Sequence, residues 1–220
     1  MIQSNLAKIR AEIASLTNSR VDLVTVSKMK PVDSIMEAYR GDQRHFGENY
    51  VSELVEKYQR LPTDIKWHFI GHLQSNKVTK LISSCPGLYM IETIDSRKLA
   101  EKINRTLSTV VRSCRLKVLV EVVTSDEGTK SGIPPTDVLP LVRFIIDSCP
   151  NLEFDGLMTI ANPSNPEYSF KIVQHLRSEL ELLSIPIHTL SMGMSGDYQI
   201  ALKCGSNEIR LGTSIFGSRQ

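Results

Sequence analysis

Apolar residues recur along this chain in two rhythms. Ile2, Leu6, Ile9, Ile13 and Leu16 follow spacings of four, three, four and three, which puts one apolar stripe on a helix with charged residues between. After it come short runs of β-branched and aliphatic residues near 22–27, 44–47, 66–70, 88–92, 117–123, 152–157, 187–190 and 207–210, each of which reads as a strand. Helical patterns fill the gaps. Leu99, Ile103 and Leu107 share a face behind an Asp95 or Ser96 cap. Val138, Leu139, Val142, Ile145 and Ile146 mark another after Pro134-Pro135, and Phe170, Val173, Leu176, Leu180 and Leu183 a third, opened by Asn165-Pro166.

Strand then helix, repeated eight times, predicts a parallel sheet, because parallel neighbours need a crossover helix. Eight units in 220 residues average roughly 27 residues each, the economy of a compact (β/α)8 TIM-type barrel, here with an N-terminal helix before strand 1. The competing open, doubly wound sheet would carry a G-x-G-x-x-G turn, but the first strand leads into Ser27-Lys28-Met29-Lys30. No repeat, low-complexity tract or linker interrupts the pattern, so residues 1–220 are expected to form a single barrel domain.

Composition narrows the function. The chain is 41% hydrophobic with 26 basic and 24 acidic side chains, a net charge of +2, and no basic stripe suggests a nucleic-acid partner. No apolar run is long enough to span a bilayer. The N-terminus has neither the plan of a secretory signal nor the acid-poor bias of a transit peptide, so the expected location is cytoplasmic. Cys85, Cys114, Cys149 and Cys204 are scattered without a C-x-x-C pair, which suggests reduced thiols rather than a zinc or redox centre.

In such a barrel, chemistry gathers where strands end. Lys28 ends the first strand against Pro31; a desolvated lysine loses its proton more readily and can attack a carbonyl to form a Schiff base. After the second strand, Asn49 either caps the next helix or turns its amide into the mouth. His68 and His72 stand four apart, but Gly71 and the strand-like context break helical metal-ligand geometry, and no metal is expected. The polar loop 124–132, which includes Lys130, reads as a solvated connection or a flap over the mouth. The last two strands lead into Leu190-Ser191-Met192-Gly193-Met194-Ser195-Gly196-Asp197 and Ile209-Arg210-Leu211-Gly212-Thr213-Ser214. Glycines and hydroxyls before short helices suit a phosphate. A Schiff-base lysine beside a phosphate cradle fits a phosphorylated aldehyde, either pyridoxal 5′-phosphate (PLP) or a sugar phosphate.

Val26-Ser27-Lys28-Met29-Lys30-Pro31, Phe46-Gly47-Glu48-Asn49-Tyr50, Trp67-His68-Phe69-Ile70-Gly71, Leu73-Gln74-Ser75-Asn76-Lys77, Lys130-Ser131-Gly132, Gly156-Leu157-Met158, Leu190-Ser191-Met192-Gly193-Met194-Ser195 and Arg210-Leu211-Gly212-Thr213 with Ile215-Phe216-Gly217 together resemble the pyridoxal phosphate homeostasis protein family, single-domain relatives of the alanine racemase barrel. The resemblance implies PLP held as an internal aldimine on Lys28. It implies a phosphate bound by Ser191, the Gly193-Met194-Ser195 turn, Gly212 and Thr213, with Asn49 at the mouth and Met158 against the ring. Arg210 would face the pyridine nitrogen, and a guanidinium there leaves that nitrogen unprotonated and a poor electron sink. The resemblance thus implies a carrier of PLP in vitamin B6 homeostasis without committed turnover. PLP-dependent apoenzymes are then candidate partners, and a monomer is expected. A small racemase and a Schiff-base aldolase are the alternatives; the chain ends at Gln220, which leaves no room for the second domain that racemases add.

Overall fold

In this computed structural model residues 1–124 and 131–217 are described. Eight parallel strands stand side by side in chain order: β1 (Asp22–Val26), β2 (His45–Glu48), β3 (Lys66–Phe69), β4 (Met90–Ile94), β5 (Leu116–Glu121), β6 (Leu152–Met158), β7 (Thr189–Ser191) and β8 (Glu208–Leu211). β8 returns to β1 in a register running from Asp22 opposite Glu208 to Thr25 opposite Leu211. The sheet is therefore a closed barrel, as the alternation of strands and helices predicts. Every expected run overlaps one strand.

Between the strands lie α2 (Val32–Arg40), α3 (Val51–Arg60), α4 (Val78–Ser84), α5 (Arg97–Leu107), α6 (Val138–Ser148), α7 (Pro166–Leu182) and α8 (Tyr198–Lys203). The helix starts are chemically explicit. Ser96 Oγ accepts from the Leu99 amide at 3.3 Å, and Asn165 Oδ1 accepts from the Tyr168 amide at 3.3 Å with Pro166 in the first turn. Pro134-Pro135 open a 3-10 turn, Pro135–Asp137, that leads into α6.

The last connection departs from the repeat. α9 (Thr213–Phe216), after β8, has only four residues. The N-terminal helix α1 (Ile2–Leu16) packs beside α2, α8 and α9 and fills the place of a full eighth helix. Ile2, Leu6, Ile9 and Ile13 of its stripe are buried. Asn5 Nδ2 donates to the Ile215 carbonyl at 2.9 Å, and Arg10 reaches the Gly41 carbonyl at 2.7 Å and Gln43 Oε1 at 3.0 Å.

The apolar core lies outside the barrel wall. Trp67, Phe69, Val118, Val120, Leu157, Leu190, Ile209 and Leu211 belong to one cluster with the helices. Within the lumen a smaller cluster of Met90, Leu119 and Met158 is separate, and it shares the lumen with buried His68, Glu92, Ser191, Glu208 and Arg210. Among the described residues no helix is long and apolar enough to cross a membrane. Cys85, Cys149 and Cys204 are buried free thiols, and Cys114 is an exposed one.

Candidate functional site at the barrel mouth

The backbone on both sides of Lys28 is clamped. Ser27 Oγ donates to Glu48 Oε1 at 2.6 Å. The Lys57 ammonium, carried by α3, donates to the Ser27 carbonyl at 2.7 Å, to Glu48 Oε1 at 2.7 Å and to Glu53 Oε1 at 2.6 Å. Glu53 in turn accepts from the Met29 amide at 2.6 Å. Met29 itself sits at φ 59, an unusual conformation for a non-glycine residue that the surrounding bonds hold in place. Burial pushes the Glu48 carboxyl up to about 7, against the opposing pull of Lys57 and Ser27. Lys28 thus leaves β1 in a fixed direction, half-buried.

It faces a cavity of 240 Å3 that it shares with Lys30, Met194, Ser195, Arg210, Gly212 and Thr213. Six of the expected site residues, Lys28, Met194, Ser195, Arg210, Gly212 and Thr213, therefore meet in one place. None of the described residues lining it is acidic. Gly193 shapes this wall: at φ 102, a Cβ there would stand 2.8 Å from Tyr198 Cα, so only glycine lets the turn close onto α8. The Ser214 amide donates to Ser195 Oγ at 3.4 Å, which joins the two C-terminal loops.

Three expected residues lie elsewhere. Asn49 borders a neighbouring cavity of 390 Å3 with His72, Gln74 and Lys77; its Oδ1 is buried without a hydrogen-bond partner, and the N-cap residue of α3 is Tyr50, with no side-chain cap. Met158 is fully buried in the lumen cluster. Ser191 is fully buried and engaged below the cavity floor, where it accepts from Arg210 Nη1 at 2.5 Å and donates to Glu92 Oε2 at 2.6 Å. Of the two histidines, His72 pairs with Asp95 at 3.3 Å on the surface, whereas His68 points into the lumen. Residues 125–130, with Lys130, lie outside the described residues, so the flap expectation does too.

The lumen holds a polar chain. His45 Nδ1 lies 2.9 Å from His68 Nε2, and His68 Nδ1 lies 2.7 Å from Glu92 Oε1. Glu92 on β4 then meets Ser191 on β7, a contact that crosses the lumen because these strands are not neighbours. Arg210 ends the chain and also donates to the Thr159 carbonyl at 2.8 Å. Burial alone would raise the Glu92 carboxyl, but the His68 hydrogen bond, the Arg210 charge and the Ser191 hydroxyl hold it below the usual range. Glu208 is driven the other way, well up, by burial and then by the Glu92 charge. His68, Glu92 and Glu208 bring ligand-type atoms within 4.8 Å of one another, yet Arg210 Nη1 already stands 3.8 Å from Glu92 as the positive partner.

Sequence reasoning missed Glu92, Glu208, His45 and the Glu48–Lys57 pair. A signal existed: a charge inside an apolar run, as in Met90-Ile91-Glu92 and Glu208-Ile209-Arg210, marks the strand face that turns away from the greasy layer.

The model of the alanine racemase N-terminal domain family matches residues 1–220. The chain is 48% identical over 210 residues to the pyridoxal phosphate homeostasis protein of Homo sapiens, covering 90% of this chain and 76% of that one. It is 46% identical over 225 residues to the protein of the same name from Schizosaccharomyces pombe, covering 99% and 93%. Among solved structures, PipY of Synechococcus elongatus with PLP bound superposes with a TM-score of 0.84 at 31% identity, covering 99% of this chain and 100% of that one. An alanine racemase from Clostridium difficile, 14% identical with a TM-score of 0.72 over 98% of this chain and 57% of its own, shares the fold. By sequence and by architecture alike, the chain belongs to the pyridoxal phosphate homeostasis proteins within the alanine racemase N-terminal-domain family.

Proposed function

We propose that this protein holds PLP on Lys28 and serves PLP homeostasis by storing and handing on the cofactor rather than by turning over a substrate. The observation that carries the reading is the shared cavity, where an amine from β1, an arginine from β8 and two hydroxyl-bearing glycine loops meet with no acidic neighbour among the described lining residues. That donor set suits the group: an amine for the aldehyde, hydroxyls and loop amides for the phosphate, a guanidinium for the ring nitrogen. Lys28 would hold the aldehyde carbon as a Schiff base; Ser195, Gly212 and Thr213, with the Gly193-Met194 turn, would hold the phosphate. PLP itself supplies an electrophilic aldehyde and an electron-withdrawing ring. Arg210 cannot give up its proton, so it would donate to the ring nitrogen and leave it neutral, which would blunt carbanion chemistry. Ser191 would hold Arg210 in place, Met158 would pad the lumen beneath the bound group, and Asn49 borders the neighbouring cavity. The names of the relatives support the same reading. PLP-dependent apoenzymes as recipients, a monomeric state and a cytoplasmic location belong to this proposal.

The test is reconstitution with PLP followed by borohydride and peptide mapping. The expected result is a yellow protein whose reduced adduct maps to Lys28 and is missing in Lys28→Arg; a colourless protein, or an adduct elsewhere, overturns the site. Incubating the loaded protein with L-amino acids and analysing their chirality separates carrier from racemase, and sustained turnover overturns the carrier role.

A further inference from the structure

The chain from His45 to Arg210 runs the length of the barrel. His45 opens β2 and lines a broad cavity at the opposite end, where Arg20, Asp22 and Arg44 also face. Arg210 lines the mouth cavity with Lys28. Between them the links are His45 to His68 at 2.9 Å, His68 to Glu92 at 2.7 Å, Glu92 to Ser191 at 2.6 Å and Ser191 to Arg210 at 2.5 Å.

Donor and acceptor chemistry gives this chain a direction. A guanidinium only donates, so the Ser191 hydroxyl accepts from Arg210 and must send its own proton to Glu92. A carboxylate that takes the Ser191 proton on one oxygen accepts on the other, so His68 donates from Nδ1. One anion, Glu92, then faces one cation, Arg210. A second buried cation would lack a counter-charge of its own, because burial and the Glu92 charge push the Glu208 carboxyl well up and so disfavour a second anion there. The arrangement that fits this balance is a neutral Nδ1–H tautomer at His68, with Nε2 accepting and His45 donating from its own Nδ1. This leaves His45 Nε2 as a bare base at the floor.

We propose that Glu92 is the positioning residue for Arg210, and that His45 and His68 form a proton path from the barrel floor that sets the charge of Glu92 and so the hold on Arg210 at the mouth. A proton taken by His45 Nε2 releases the Nδ1 proton to His68 Nε2, and His68 releases its Nδ1 proton to Glu92. One proton enters, one arrives, and the anion that Arg210 leans on is neutralised. Among the described residues, the charged and titratable groups facing this path are Arg20, Asp22 and Lys66 around His45, Tyr89 against both imidazole rings, Glu208 3.8 Å from His68 Nδ1, and Glu208 and Arg210 around Glu92. Burial is the first cause that lowers His45 to about 4, which keeps the path unloaded at neutral pH.

The inference deepens the PLP reading but is tested first without the cofactor. Nitrogen-15 spectra of the apoprotein at pH 7 should show both His45 and His68 as neutral Nδ1–H tautomers. An Nε2–H tautomer or an imidazolium at either residue overturns the path. The second arm uses the PLP-loaded protein and His45→Asn, which keeps a donor for His68 but has no base facing the floor. The wild type should change its bound-cofactor absorbance as pH falls towards about 4, where His45 takes up its proton, with a midpoint about one unit or more away from that of His45→Asn. His45→Gln serves if His45→Asn folds poorly. Identical profiles overturn the coupling to Arg210. If the wild type takes up no PLP, the mouth assignment fails instead, and the tautomers still decide the path.

Discussion

At the scale of residues, the direction of Lys28 depends on Lys57. Its ammonium is almost wholly buried, and it binds the Ser27 carbonyl, Glu48 and Glu53 at once. The Glu48 carboxyl stands at about 7 rather than at an ordinary 4.5. Its folded form therefore keeps a proton that the unfolded chain has shed, and its contribution to stability is present below about 4.5 and lost as pH rises through about 7. Lys57→Met removes the cation that restrains this rise, so the variant's deficit should widen with pH. Denaturant unfolding should show a smaller loss at pH 6 and a loss approaching about 3–5 kcal/mol at pH 8, the cost of stranding a buried charge. Adding Glu48→Gln should recover much of it. A deficit independent of pH would mean that Lys57 acts through packing alone.

At the scale of elements, the strands were legible because each is a short β-branched or aliphatic run, and the helices because their apolar stripes sit behind proline, serine or asparagine starts. Lys28 and the two C-terminal loops were legible too, since they fall at strand ends. The lumen was not. Alternation tells which residues share a face but not which face looks inward, and the Glu92–Ser191 contact joins strands that no local pattern relates. Ser191 shows the consequence: its sequence context reads as phosphate loop, while its hydroxyl is spent one layer lower on Arg210 and Glu92. Spacing between strands was equally hidden. A Cβ on Gly156 of β6 would fall 1.8 Å from the Thr189 carbonyl oxygen of β7. Gly156→Ala must therefore push β6 and β7 apart just where β7, only three residues long, carries Ser191. The expected loss is about 3 kcal/mol or more by urea unfolding; a near-neutral outcome would mean that β7 shifts freely, at odds with its place in the lumen chain.

At the scale of the whole molecule, the barrel arranges polarity inside out relative to most small domains. The apolar layer lies between strands and helices, and the axis carries ions and hydrogen bonds that link the two ends. The chain of fixed partners makes such an interior specific rather than merely stable, because each polar group is costly unless satisfied; Glu208 Oε1, buried without a hydrogen-bond partner, is an exception. The helical layer has its own irregularity: α1, first in the chain, stands where the helix after β8 belongs, tied by Asn5 to Ile215 of α9. The ring of helices is thus complete in space though its last member comes first in sequence. Backbone order and spatial order can be reconciled by a circular permutation that opens the Thr17–Arg20 link and joins the end of the chain to Ile2 through a short flexible linker. Such a permutant should unfold cooperatively and take up cofactor like the parent, whereas simple deletion of α1 should expose β8 and β1 and abolish folding. In evolutionary and engineering terms, α1 would then be a movable stave, and the barrel a circle that this chain happens to enter one helix early.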